Sequence, residues 1–167
     1  MSSHSIKNIE VDKSETQEPV TGQLSQSGAV EPNPLHAREI AERTLHDALE
    51  YLVYLEALSR ECGNSILPVN VINRFDTEFN QLFVNLIDAI STFTEALTCV
   101  KQILRIGILQ PVNILEADLL SILKDILSGK QNEEKSYLKD LLTIHLPKNL
   151  EQWRTTGIPA IIRSRDS

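Results

Sequence analysis

Large apolar residues recur every three or four positions over residues 72–104, INRFDTEFNQLFVNLIDAISTFTEALTCVKQIL. This spacing is the α-helical period and differs from the alternation of a β-strand. It predicts a second helix from about residue 68 to residue 106, which would be about 58 Å long at 1.5 Å per residue. Additional apolar residues make this stripe wider than the contact face of a two-stranded coiled coil. Such width is typical of a helix that other helices cover on two sides.

The first and third helices are predicted from the same period and from their end signals. Asn33 caps the first helix and Pro34 occupies its first turn, while Gly63 suits the left-handed position at its end. The third helix opens at Pro111 or Asn113 and closes at Gly129, and Gly107 is expected to end the second.

The fourth helix starts near Asn132, and its apolar period continues past a proline. Pro147 has no N–H to donate within the helix, so we expect either one kinked helix or two abutting ones. The stretch Gly157-Ile-Pro159 is the predicted stop.

The predicted fold class is all-α, a bundle of four main helices in which helices one and two and helices three and four form hairpins. The long second helix is expected to be its spine. Residues 1–33 are rich in Ser, Gln, Glu and Thr, and are predicted to be a disordered acidic leader. Residues 34–157 form the bundle. Residues 158–167 form a C-terminal tail that either folds back on the bundle or docks on a partner.

Charge and cysteine usage narrow the possible environments and partners. The formal net charge of −7 argues against nucleic acid, because binding phosphates requires clustered Lys and Arg. Two cysteines, Cys62 and Cys99, are too few for a disulfide framework, and we expect both to be free thiols in a reduced cytoplasm. No apolar segment suggests a signal peptide or a membrane span, so the expected localisation is cytoplasmic.

The residues that carry chemistry are few and scattered. His46 follows Glu42 by four positions, and no second such pair completes a di-metal bundle site. His46 and His145 lack the small neighbours of a phosphotransfer histidine. The sequence has no nucleophile motif and no Gly-rich phosphate loop. We therefore predict no catalytic residues, no metal, no cofactor and no small-molecule ligand.

One segment resembles a known kind of protein. Residues 119–153, LLSILKDILSGKQNEEKSYLKDLLTIHLPKNLEQW, resemble a recurrent ending of small bacterial helical proteins. The matching positions are Leu123, Leu127, Gly129, Leu138, Leu141, Leu142, Leu146, Pro147, Leu150 and Trp153. The general form is also similar to small export chaperones of flagellar and type III secretion systems. The resemblance implies a bacterial cytosolic bundle and no reaction.

The predicted function is protein binding without catalysis, as an adaptor, a chaperone-like protein or an assembly subunit. The long second helix would overhang its neighbours and leave apolar surface for another protein or for a second copy of the chain. A structural homodimer is the alternative, and a phosphotransfer domain or another enzyme is a further one. The candidate interface residues are Ile72, Phe75, Phe79, Phe83, Trp153, Ile158, Ile161 and Ile162.

Overall fold

The computed structural model describes residues 33–68 and 75–165. It confirms an all-α bundle of four main helices. Helix α1 spans Pro34–Asn64, α2 spans Thr77–Ile103 and α3 spans Gln110–Gln131. Apart from Asn33, the predicted leader 1–33 lies outside the described residues, and so does Ile72.

The fourth main helix is a C-terminal run, residues 135–165, in which α-helical and π-helical segments alternate. Its segments are α4 (Lys135–Asp140), π1 (Leu141–His145), α5 (Leu146–Gln152), π2 (Trp153–Gly157) and α6 (Ile158–Arg165). The residues assigned to a C-terminal tail therefore continue this helix as far as Arg165. The stop predicted at Gly157-Ile-Pro159 is wrong.

The central helix of the bundle is α1. Its backbone packs against α2 on one side and against all five segments of the C-terminal run on the other. Among the described helical elements, the backbone of α2 approaches α1 alone, and that of α3 approaches the C-terminal run alone. The prediction that the second helix is the spine is therefore corrected, because α1 has neighbours on two sides and α2 lies at an edge.

The start of α1 agrees with the sequence, and the start of α2 does not. Asn33 Oδ1 accepts a hydrogen bond from the Leu35 N–H at 3.1 Å, and Pro34 begins the helix. Helix α2 begins at Thr77, where Asp76 Oδ1 accepts from the Phe79 N–H at 2.8 Å. Its 27 residues are about 40 Å long, not about 58 Å. The overhang expected from the sequence is therefore absent.

The left-handed positions near the helix ends are not glycines. Arg105, with φ 52°, follows α2, and Glu133, with φ 57°, follows α3. Gly63 remains inside α1 and has no positive φ. A Cβ at Gly63 would lie 2.6 Å from Thr143 Cγ2 and 3.0 Å from Leu142 Cβ, so its small size permits close packing on π1.

Both π segments end two residues before a proline. The Leu146 N–H bonds to the carbonyl of Leu141 and the Ile158 N–H to that of Trp153, each five residues back. A proline in a regular α-helix clashes with the carbonyl four residues earlier, and the wider π turn relieves this clash. The C-terminal run therefore passes through Pro147 and Pro159 as one continuous helix.

The two proline-containing stretches are also spaced to keep one face buried. Leu141 and Trp153 are 12 residues apart, as are Pro147 and Pro159. Each 12-residue repeat contains one wide turn, which takes up one extra residue. The remaining residues, about 11, complete about three turns of 3.6 residues. Leu146, Leu150 and Ile158 are consequently buried together with Trp153 and Ile161.

Polar contacts tie α1 to the C-terminal run. Ser59 is fully buried, and its Oγ donates to the carbonyl of Leu142 in π1 at 2.5 Å. The nearly buried Glu56 accepts from Arg154 Nε at 3.1 Å and lies 3.8 Å from Arg60. The Ser59 hydroxyl and the Glu56 carboxylate therefore each have a partner, as burial of a polar or charged group requires.

Candidate functional site

A groove separates α2 from α3, although the two helices are consecutive in the chain. No Cα atom of α2 lies within 8 Å of a Cα atom of α3. Each helix packs its backbone on a different neighbour, so the two meet only through side chains. We call the space between them the α2–α3 groove.

The groove is largely apolar and contains a cavity of about 290 Å³. Its floor includes Trp153, which is fully buried and meets Phe93 edge-to-face with ring centroids 5.6 Å apart. The other lining residues come from the two walls, namely Thr94, Leu97 and Thr98 from α2 and Glu116, Leu119, Leu120 and Leu123 from α3.

Two contacts bridge the groove at opposite ends. The Lys101 ammonium of α2 pairs with Glu116 of α3 at 2.5 Å. The Lys130 ammonium of α3 lies 5.0 Å from the ring centroid of Phe83 in α2. Along α3 the two bridging residues are about 21 Å apart, which is about four helical turns. These contacts hold the walls of the groove at its ends, and apolar side chains lie between them.

Two leucines of α3 are exposed on the rim. Leu120 is 56% exposed and Leu127 is 53% exposed. They are seven residues apart, so they lie two turns apart on nearly the same side of the helix. Leu123, between them, is half-buried and lines the cavity. The α3 rim therefore presents apolar surface to solvent over two turns.

The structure removes five of the predicted interface residues from the free surface. Phe79 and Phe83 are buried, and so are Trp153, Ile158 and Ile161. The expectation that Phe79 and Phe83 remain uncovered is therefore wrong. Helix α2 lacks the predicted overhang, and the C-terminal run, about 46 Å long, covers more of the bundle than the sequence indicated.

The remaining predicted interface residues differ from one another. Phe75 is half-buried and stacks on Phe79 with ring centroids 4.5 Å apart, and Lys135 Nζ lies 5.8 Å from its ring centroid. Ile162 is half-buried against the core. Ile72 lies outside the residues that the structure describes. Phe75, Ile162 and the groove share no wall, so the candidates do not converge on one site.

Sequence reasoning did not single out Leu120. The apolar period of the third helix predicts an inward face that includes Leu119 and Leu127 and gives Leu120 no role, whereas Leu127 is exposed in the structure. Adjacent side chains on a helix point about 100° apart, so Leu119 and Leu120 cannot both point into a narrow core. The two adjacent leucines, Leu119 and Leu120, were therefore the feature of the sequence that could have indicated a second apolar side of α3.

The residues weighed for chemistry in the sequence include histidines and cysteines. In the described part of the chain, no three His, Cys, Asp or Glu side chains are grouped to hold a metal ion. His46 is exposed, and its Nδ1 lies 2.9 Å from the backbone carbonyl of Glu42. Burial, with a smaller contribution from Glu61, raises the pKa of Cys62 to about 12, so this thiol stays protonated at neutral pH.

Comparisons with protein families, with curated proteins and with solved structures found no match to this chain. Within the described ranges, α2 is long and apolar enough to cross a membrane by length and composition alone. Core helices of soluble proteins meet the same criterion, and the inner face of α2 is buried in this bundle. The cytoplasmic localisation therefore stays a prediction.

Proposed function

We propose that this protein is a non-catalytic protein-binding bundle that holds an apolar helix of another protein in the α2–α3 groove. In the cell it would act as an adaptor, a chaperone-like protein or an assembly subunit. One observation carries the proposal. Leu120 and Leu127 are more than half exposed beside a cavity whose two walls are not in backbone contact.

The shape of the groove favours a helix as its occupant. Its bridged length of about four turns matches a helix that presents apolar residues at positions i, i+3 or i+4, and i+7. Hydroxyl side chains, Thr94 and Thr98, line the α2 wall, and leucines line the α3 wall. An apolar face on the partner would cover Leu120 and Leu127, and the partner's polar face would remain in water.

Selection from a displayed library of helical peptides about 18 residues long, with leucine at helical spacing, tests this proposal. The full chain is the bait. Selected peptides are expected to lose binding at least tenfold, about 1.4 kcal/mol, when Leu120→Glu places a carboxylate in the apolar contact. Trp153 is the chain's one tryptophan and lines the groove, so its emission should shift on binding.

Val53→Glu is the matched control for Leu120→Glu. Val53 is 52% exposed on α1 and lines no part of the groove, so the same charge is added to an exposed apolar position elsewhere. Binding that survives Leu120→Glu, or that falls equally with Val53→Glu, would show that the groove is not the docking site.

A further inference from the structure

A second cavity lies between α1 and α2, on the other side of α2 from the groove. Its volume is about 210 Å³, and its walls include Ala48 and Tyr51 of α1 and Phe93 and Ala96 of α2. Ala96 lines this cavity and Thr98 lines the groove, and side chains two residues apart on a helix point about 160° apart. We call this cavity the α1–α2 pocket.

The surface inside the α1–α2 pocket is apolar, although three of its lining residues carry hydroxyls. The Thr44 and Thr92 hydroxyls each donate to the carbonyl four residues earlier on their own helix, at 2.9 and 3.0 Å. The Tyr51 hydroxyl donates to the Ala89 carbonyl of α2 at 3.1 Å. Because backbone carbonyls take up all three hydroxyls, methyl groups and ring carbons are left to line the pocket.

A carboxylate lies at the mouth of this pocket. Asp47 is exposed and contributes to a lining that is apolar, so its charged end faces solvent. In the described part of the chain Asp47 has no ion pair, not even with Arg43 one turn earlier on α1. Tyr51 follows Asp47 by one turn and adds an aromatic ring to the wall. A carboxylate and an aromatic ring both attract a cation.

We infer that the α1–α2 pocket binds a basic side chain, lysine or arginine, of a partner protein. The aliphatic stem would lie in the pocket, and the cation would reach Asp47 at its mouth. Such side chains bury their stems on apolar surface while the charge stays in water. A cavity of about 150 Å³ holds benzene, so the α1–α2 pocket has room for a stem of this size.

The surface around the pocket favours a protein as the source of the cation. On α1, Ile40 is 49% exposed and Tyr54 is 51% exposed. Ile40 lies one turn before Thr44 and Tyr54 one turn after Tyr51, so both extend the ridge that borders the pocket. A chain segment carrying the basic residue could cover both of them, whereas a free organic cation would leave them in water. Different residues line the groove, so this inference does not depend on the proposed function.

Small probes separate the contributions of stem and charge. n-Pentylammonium has both, 1-pentanol has the stem without the charge, and methylammonium has the charge with almost no stem. Binding to the full chain is followed by NMR through the methyl signals of Ala48 and Ala96, which line the pocket. We expect n-pentylammonium to bind about threefold tighter than 1-pentanol, and methylammonium to bind more weakly than either. Equal binding of n-pentylammonium and 1-pentanol would overturn the inference.

Substitution of Asp47 locates the charge effect. Asp47→Asn is expected to remove the preference for n-pentylammonium and to leave the binding of 1-pentanol unchanged. Asp140→Asn makes the same change at an exposed position of α4 outside the pocket and should preserve the preference. A preference that survives Asp47→Asn, or that falls equally with Asp140→Asn, would show that this carboxylate does not select the cation.

Two helical peptides that differ only at a central arginine or norleucine identify the occupant. Both have apolar residues on either side of the central one. The arginine peptide is expected to bind tighter than the norleucine peptide and tighter than n-pentylammonium, because it also covers Ile40 and Tyr54. Equal binding of the two peptides would make the occupant an apolar side chain. Binding of n-pentylammonium without either peptide would make it a small organic cation. Either result would overturn the inference.

Discussion

Gly63 allows α1 to pack closely against π1. Its missing Cβ leaves room for Thr143 and Leu142, and the Ser59 hydrogen bond to the Leu142 carbonyl lies one turn earlier on the same helix. Small size at Gly63 and hydrogen bonding at Ser59 therefore act together to hold α1 against the first π segment.

Gly63→Ala should destabilise the protein although alanine is the better helix former. The added Cβ would lie 3.0 Å from Leu142 Cβ, which cannot move without shifting the π1 backbone. We expect the free energy of unfolding to fall by about 1–3 kcal/mol in urea denaturation.

Gly107→Ala is the control for this substitution. No heavy atom lies within 4 Å of a Cβ built at Gly107, and its φ is not positive. Its free energy of unfolding should stay unchanged or rise by about 0.4–1 kcal/mol. Equal losses at both glycines would show that close packing on π1 is not the reason for Gly63.

At the scale of elements, the C-terminal run depends on a match between its prolines and its π turns. Each π turn inserts one residue, and each proline follows where the widened turn has space for its ring. The extra residues also keep Leu146, Trp153 and Ile158 on the buried face. Proline position and helix phase are therefore linked in this segment.

Deleting Thr156 from π2 tests this link. The deletion would return the turn to regular α-helix with Pro159 in its interior, and we expect a loss of about 3 kcal/mol in the free energy of unfolding. Combining the deletion with Pro159→Ala should recover most of this loss, with unchanged helical circular dichroism. A double variant as unstable as the single deletion would contradict the link.

At the scale of the whole molecule, the bundle is asymmetric around α1. Because α2 and α3 pack on different neighbours, the bundle closes on one side through side chains and two bridging contacts. The proposed docking site thus exists because α2 packs on α1 and α3 packs on the C-terminal run, so that neither covers the other.

We expect the full chain to be a monomer by light scattering after size exclusion, at low and at high micromolar concentration. The exposed surface of Leu120 and Leu127 is far smaller than the about 800 Å² per partner that a stable dimer buries. A dimer that Leu120→Glu dissociates would instead make the chain a homodimer subunit and place a second copy in the groove.

Several features of the fold could be predicted because they depend on local spacing. Asn33 and Pro34 at the start of α1, and the existence of four helices, follow from capping chemistry and apolar period. The end of α1 at Asn64 agrees with the predicted terminus Cys62-Gly63-Asn64, but Gly63 is not left-handed and instead permits close packing on π1. Helix α3 continues two residues past the predicted end at Gly129. The groove was not predicted. Leu119 and Leu120 are the same residue type, and only the packing of α3 against its neighbours decides that Leu119 is buried and Leu120 is exposed.

The sequence by itself determined that this chain is helical, where most of its apolar stripes lie and that its net charge is negative, since these depend on residue type and spacing. Tertiary structure decided that α1 is central, that Phe79 and Phe83 are buried and that α2 and α3 stay apart. Which helix lies beside which depends on contacts between residues far apart in the chain. The π turns depend on both. Proline in the sequence favours a wide turn, and tertiary packing decides which face of the helix that turn keeps buried.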